Sequence, residues 1–232
     1  MPDTYRLCSV FKGLDRDSGE RHAIIFDLNR RFDDNQRQII AAKLNLNETI
    51  FIDSTETGSI GIFNATHQIP FAGTASLAAA KFILDVNPKL RSLLSMGMSI
   101  DVELDSSILW VEAGKGTLPA WNIVKTTTSD EVNAVGIESS GQYKHTFLWS
   151  WINENKGMVR ARTFASDWNI PEVNGNGSGA MKLALLVNRP IEVTHGPGNG
   201  VRILASPVDN KSGFAKLGGE VFLIDKLPIP TI

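Results

Sequence analysis

Two segments of this chain share an order of features that leaves few folds open. In the first, the strand-like run SIGIFNAT is followed, ten residues after Phe63, by Gly73-Thr74 opening the alanine-rich stretch ASLAAAKFIL. In the second, VRARTFAS is followed, thirteen residues after Phe164, by Gly177-Ser178 opening GAMKLALLV. Each reads as a strand, a short loop, then glycine plus a hydroxyl at the mouth of an Ala/Leu-rich helix, which is the pattern of a duplicated supersecondary unit. A chain of 232 residues is long enough for two such halves, each with its own core.

The flanking sequence sets the fold class. YRLCSVF and HAIIFDL read as strands on either side of the polar loop KGLDRDSGER. Asp33 then caps a helix, with Gln36 three residues on in capping-box position, Ile39, Ile40 and Leu44 on its apolar side and Lys43 at the edge; Asn45 or Asn47 ends it. ETIFID and SIGIFNA form a hairpin, the Thr74–Leu84 helix follows until DVNP stops it, and SIDVEL and ILWVEA give another strand pair. The first half therefore reads β-β-α-β-β-α-β-β, an α/β arrangement with hairpin-type connections and antiparallel pairs rather than alternating βαβ units. The segment from Gly114 to Gly136, with its proline and TTTSDE run, is the expected crossing, giving halves at residues 1–120 and 121–232. In the second half HTFLWSWI alternates with both faces apolar, MVRARTFA is a further strand, and IEVTH, VRILAS and EVFLI are expected to complete it after the helix Ser178–Val187.

Composition removes several function classes. A formal net charge of -2 and the absence of any Lys/Arg block give no attraction to nucleic acid or to anionic lipid. No apolar run reaches about 18 residues and no basic-then-apolar leader opens the chain, so the expectation is a soluble, cytoplasmic protein with no membrane partner. The single cysteine, Cys8, sits in an apolar run and reads as a buried, inert thiol.

The chemistry is sought at the helix starts. The first turn of a helix carries unpaired N–H groups and a partial positive charge, so it attracts carboxylate or phosphate. Gly73 and Gly177 permit close approach, and Thr74 and Ser178 each add a hydroxyl. Plain N-capping by Thr and Ser is the alternative. His195, ahead of the GPGNG loop, and Arg160 with Arg162 on one strand face are further candidates for contact with an anion, against loop geometry and surface solvation.

The segments IIFDLNRRFDDNQRQIIAAKLNLNETIFID, IGIFNATHQIPFAGTASLAAA, VRARTFASDWNIPEVNGNGSGA and FAKLGGEVFLI resemble, in order, the blocks of the PhzF (phenazine biosynthesis) family, relatives of diaminopimelate epimerase. The resemblance implies a diaminopimelate epimerase-like fold: two similar α/β halves, each a curled, mostly antiparallel sheet around a central helix, with a site in the cleft between them. It also implies no metal and no organic cofactor, a homodimer, and an isomerase that moves a proton on a small carboxylic acid. The departures fall on the chemistry. Where the family places a glutamate as general acid/base, this chain has Gln68, and where it places a histidine after the glycine, this chain has Thr74. The second-half motif falls on Glu172, Val173 and the turn Asn176-Gly177-Ser178, with Val173 in the place of an aspartate. A carboxamide has no proton equilibrium near neutrality, so Gln68 cannot be the base. His67 and Glu172 are the replacement candidates, with Asp53 and Glu56 as further carboxylates of the preceding hairpin, each with a solvated surface role as the alternative. Two readings stand: an isomerase or epimerase with a relocated base, and a non-catalytic protein that keeps the acid-binding cleft.

Overall fold

The computed structural model describes residues 4–13, 19–106, 108–136, 141–166 and 170–232; residues 14–18 of the first loop and 167–169 of the third family-like block lie outside them. The chain runs β1 (Thr4–Val10), β2 (Lys12–Gly13), β3 (Glu20–Phe26), α1 (Asp34–Leu44), β4 (Glu48–Ile52), β5 (Ser59–Phe63), β6 (Gln68–Ile69), α2 (Gly73–Leu84), β7 (Ser92–Ser95), β8 (Met98–Asp105) and β9 (Ile108–Gly114). A short 3-10 turn follows, then β10 (Asn122–Lys125), α3 (Ser129–Ala134), β11 (Thr146–Asn153), β12 (Met158–Ala165), β13 (Ile170–Val173), α4 (Gly177–Val187), β14 (Ile191–His195), β15 (Val201–Pro207), β16 (Phe214–Gly219) and β17 (Val221–Pro228).

These elements form two compact units. The first holds Met1–Val10, Glu20–Val111 and Glu220–Ile232, and the second holds Phe11–Gly19 and Glu112–Gly219. The expected single division at residue 120 becomes a discontinuous one for a physical reason. EVFLI, assigned from sequence to the second half, lies in β17, which pairs antiparallel with β1 from Val10↔Val221 to Thr4↔Pro228 and so belongs to the first unit. The stretch expected to link the halves holds β10 and α3, both in the second unit.

In the first unit β3 and β4 are parallel across α1, β4 and β5 are antiparallel, and β5 shares its other edge between β6, antiparallel, and β7, parallel across α2. In the second unit β10 and β11 are parallel across α3, β11 and β12 are antiparallel, and β12 shares its other edge between β13, antiparallel, and β14, parallel across α4. β8 and β15 then pair antiparallel with β7 and β14 respectively. The two units thus repeat one topology element for element, a mixed α/β fold dominated by sheet. Antiparallel pairs prevail as expected, but every helix sits in a crossover between parallel strands, which the hairpin reading of the sequence did not include.

The helices explain why the sheets close around them. In α2 the run Ala75–Ala80 is buried without a break, so this helix is enclosed on every side, which small alanine side chains permit. α4 buries Gly177, Gly179, Ala180, Met181, Leu183 and Ala184 and leaves Leu186 exposed. α1 begins at the expected cap: Asp33 accepts from Gln36 N at 2.8 Å while the Gln36 side chain accepts from Asp33 N at 3.0 Å, and Asn45 ends the helix in the left-handed conformation. Its buried side differs from the expectation, because Arg37, Ile40 and Ala41 face inward and Ile39 is exposed. β11 is covered on both faces only through Ser150, with Ile152 exposed. Cys8 is buried, its thiol donates to His22 O at 3.6 Å, and burial pushes its pKa up to about 12, so it is inert.

Candidate functional site

The start of α2 is open. Its N-cap position is Ala72, which has no side chain to accept from the first turn, and Gly73 and Thr74 occupy the first two helical positions. Thr74 is therefore not the cap that its residue type suggested. It is 9% exposed, and its hydroxyl has no hydrogen-bond partner among the described residues. The first-turn N–H groups of Gly73, Thr74 and Ala75 and the Thr74 hydroxyl are thus available to one anion, with the positive end of the helix dipole behind them.

Gln68 belongs to the same unit, on the sheet face that packs against α1. It pairs with Phe63 across β5 and β6, so it shares a face with Phe63, which packs edge-on against Phe51 in a cluster that includes Ile40 and Ala41 of α1. Gly61 lies on that face too: a Cβ added to it would stand 3.5 Å from Gln68 Nε2 and 3.5 Å from Arg37 Nη1. Arg37 is 1% exposed and is held by two carboxylates, its Nη2 donating to Asp27 Oδ2 and to Asp53 Oδ1 at 2.6 Å each. Burial lowers its pKa, but the hydrogen bonds to Asp53 and Asp27 outweigh that and raise it. Asp53, a candidate base from sequence, is thus the partner of a guanidinium. His67 is exposed in the turn before β6, with its Nδ1 2.9 Å from Thr66 Oγ1. No hydrogen bond joins Gln68 or His67 to Gly73 or Thr74 among the described residues.

The start of α4 is closed by its own side chains. Asn176 is the N-cap, its Oδ1 accepting from Gly179 N at 2.8 Å and from Ser178 Oγ at 3.0 Å. Ser178 in turn accepts from Trp121 Nε1 at 2.8 Å, so its hydroxyl is already used as donor and as acceptor. Asn176 Nδ2 donates to Thr163 Oγ1 at 3.2 Å, and Thr163 Oγ1 stands 2.8 Å from His195 Nε2. With His195 Nδ1 3.2 Å from Asn174 O, one proton arrangement satisfies the whole chain: Nδ1–H donates to the carbonyl and Nε2 accepts from the threonine. Burial, aided by the charges of Arg160 and Arg162 and opposed by the Asn174 hydrogen bond, brings the His195 pKa down to about 3, so the ring is neutral. Gly177 is a packing residue here, since a Cβ on it would meet Leu217 Cδ2 at 2.5 Å.

Glu172 is neither solvated nor free. Thr163 pairs directly with Val173, so Val173 lies on the α4 side of the sheet and Glu172 on the opposite side. There both its oxygens accept from Arg162, Nε to Oε1 and Nη2 to Oε2, at 2.7 Å each, with both side chains 7% exposed. Alternation along β13 thus turns this carboxylate away from the helix start that it borders in sequence. The His195 and Thr163 contribution was hidden from sequence reasoning, because a histidine 32 residues from its threonine partner leaves no spacing signal.

Comparison with known proteins bears on the family and the fold. The model of the family described as phenazine biosynthesis-like protein matches residues 15–138. A protein of Pasteurella multocida named as an uncharacterized isomerase is 33% identical, over 78% of this chain and 76% of its own. Among solved structures, a PhzC/PhzF phenazine biosynthesis protein of Clostridium difficile matches with a TM-score of 0.75 at 16% identity, covering 99% of this chain and 100% of the other. A PhzF-family protein of Enterococcus faecalis matches with a TM-score of 0.74 at 16% identity, covering 97% and 98%. None of the helices of the described residues is long and apolar enough to cross a membrane.

Proposed function

The chain belongs to the phenazine biosynthesis-like (PhzF) family, and from that premise we propose that it is an isomerase or epimerase of this type. Its substrate in this reading is a small carboxylic acid held in the inter-domain cleft that the family resemblance implies. The observation that carries the reading is the uncapped start of α2, where Gly73 and Thr74 offer N–H groups and a free hydroxyl to a carboxylate. The positive end of the helix holds the acid as its anion, and the Thr74 hydroxyl adds a charge-assisted bond. Around it the reading sets a cytoplasmic homodimer that uses no cofactor.

A second reading, a protein that binds a small acid without turning it over, is favoured by the state of the acid/base candidates. Gln68 does not titrate, His67 is engaged with Thr66, and Glu172 is engaged with Arg162 on both oxygens. One experiment separates the two. After a thermal-shift screen of small carboxylic acids identifies a ligand, its proton exchange is followed by NMR in deuterium oxide. If the acid/base at position 68 is lost without replacement, wild type should exchange little and Gln68→Glu should raise the rate by about 10²–10⁴, the usual contribution of a placed acid/base. Brisk exchange in wild type that is lost in Glu172→Gln or His67→Asn would show that the base has moved. Binding without exchange in either protein would leave the second reading standing.

A further inference from the structure

The second unit contains a cavity of about 470 Å³ lined by Asn133, Val135, Gly136, Arg160, Arg162, Thr194 and the loop Pro197–Asn199. It lies on the α3 side of β12. Arg160 and Arg162 alternate there with Ala161 and Thr163, and Thr163 faces the α4 network on the other side. The cavity is therefore separate from the α4 start.

Its charge does not balance among the described residues. Arg162 is paired with Glu172, and its Nη1 donates to the carbonyls of Val132, Asn133 and Val135 at the end of α3. Arg160 is 5% exposed and has no carboxylate partner among the described residues. Its donors go to Asn133 Oδ1 at 2.7 Å and to the carbonyls of Ala161, Thr194, Gly196 and Gly198, the last at 3.5 Å. The described residues that line the cavity include no Asp or Glu, so among the described residues two guanidinium groups share the carboxylate of Glu172. Burying a cation without a counter-charge is costly. In keeping with this, burial first and Arg162 second lower the Arg160 pKa, against the opposing pull of Glu172.

Donors without a partner belong to residues that line the same cavity. The Thr194 hydroxyl, the Gly198 N–H and the Asn199 backbone and amide N–H groups have no partner within the described structure. The longest Arg160 bond, to Gly198 O, is the one most easily exchanged for a stronger acceptor.

We propose that this cavity is a binding site for a small-molecule oxyanion, a phosphate or carboxylate group, which neutralises Arg160 and takes the free donors of Thr194 and the 197–199 loop. The cavity volume leaves room for the body of a small metabolite behind the anionic group. Phosphate and acetate are the probes, titrated calorimetrically into the full chain at constant ionic strength made up with chloride. Wild type should bind at least one of them saturably at a single site, and which one binds identifies the anionic group. Asn199 is exposed and makes no bond to lose, so Asn199→Asp should not lower the unfolding midpoint without anion, while it weakens binding roughly tenfold or more through the added charge. Arg160→Gln should weaken it as well, and Thr74→Val should leave it alone. The absence of saturable binding, or affinity equal to wild type in Asn199→Asp, would overturn the proposal. So would binding lost in Thr74→Val and kept in Asn199→Asp, which places the anion at the α2 start instead.

Discussion

The starts of α2 and α4 occupy the same place in two copies of one topology, each between a short antiparallel return strand and a parallel crossover, yet they present opposite surfaces. At α2 the cap position is Ala72, and the first turn receives no side-chain cap among the described residues. At α4 the cap is Asn176, and a chain of hydrogen bonds from Trp121 through Ser178, Asn176 and Thr163 to His195 fills the mouth. A glycine followed by a hydroxyl residue is therefore not a binding site in itself. The residue one position before the glycine decides whether the first-turn N–H groups meet a side chain or remain available.

The difference can be attacked from the closed side first. Asn176→Ala removes the α4 cap and leaves buried Thr163 and half-buried Ser178 with one partner fewer. The expected loss is about 2–4 kcal/mol in urea unfolding, and a loss below about 1 kcal/mol would mean that the network does not hold this helix start. Next in size is an asymmetry in ligand affinity. Thr74→Val should cost roughly 1.5–3 kcal/mol in binding a carboxylate ligand by calorimetry, the contribution of a hydrogen bond to a charged group, while Ser178→Ala should leave affinity unchanged and cost stability instead. Equal losses in the two variants would break the contrast between open and closed mouths.

A pH series probes the closed side again. His195 is neutral when folded, with its pKa brought down to about 3 from its ordinary value of 6.5. The unfolded chain therefore binds a proton that the folded one does not between those values. Stability at this site is complete above about pH 6.5 and falls as pH drops toward 3, by up to about 1.4 kcal/mol per pH unit. His195→Gln should flatten that slope between pH 6.5 and 4.5, measured by urea midpoints, and an unchanged slope would assign the acid sensitivity to other groups. The smallest effect comes from closing the open side. Ala72→Ser supplies the missing cap at α2, so it should raise stability by about 1 kcal/mol while weakening carboxylate binding. A stabilised protein with full affinity would show that the ligand does not use the α2 first turn.

The features legible in the sequence are those carried by neighbours along the chain. The Asp33–Gln36 capping box, the Asn45 stop, the two alanine-rich helices and most strands depend on spacings of a few residues, and they appear where those spacings put them. α3 had a local signal too, Thr128 with Glu131 three residues on, which its short length and polar composition concealed; Thr128 accepts from Glu131 N. The pairing that makes β17 part of the first unit joins residues at opposite ends of the chain, and no local pattern encodes it.

The sequence by itself determined the repeated order of strand, glycine and alanine-rich helix, the helix ends and the absence of a titratable group at position 68, because these follow from residue type and short-range geometry. Only the tertiary structure decided which helix start is open, that Gln68 lies beside Arg37, and that Glu172 is bound to Arg162. Each depends on strand register and on which face of a sheet a side chain meets, and a one-residue change in register would reverse that face while leaving the sequence pattern as it is.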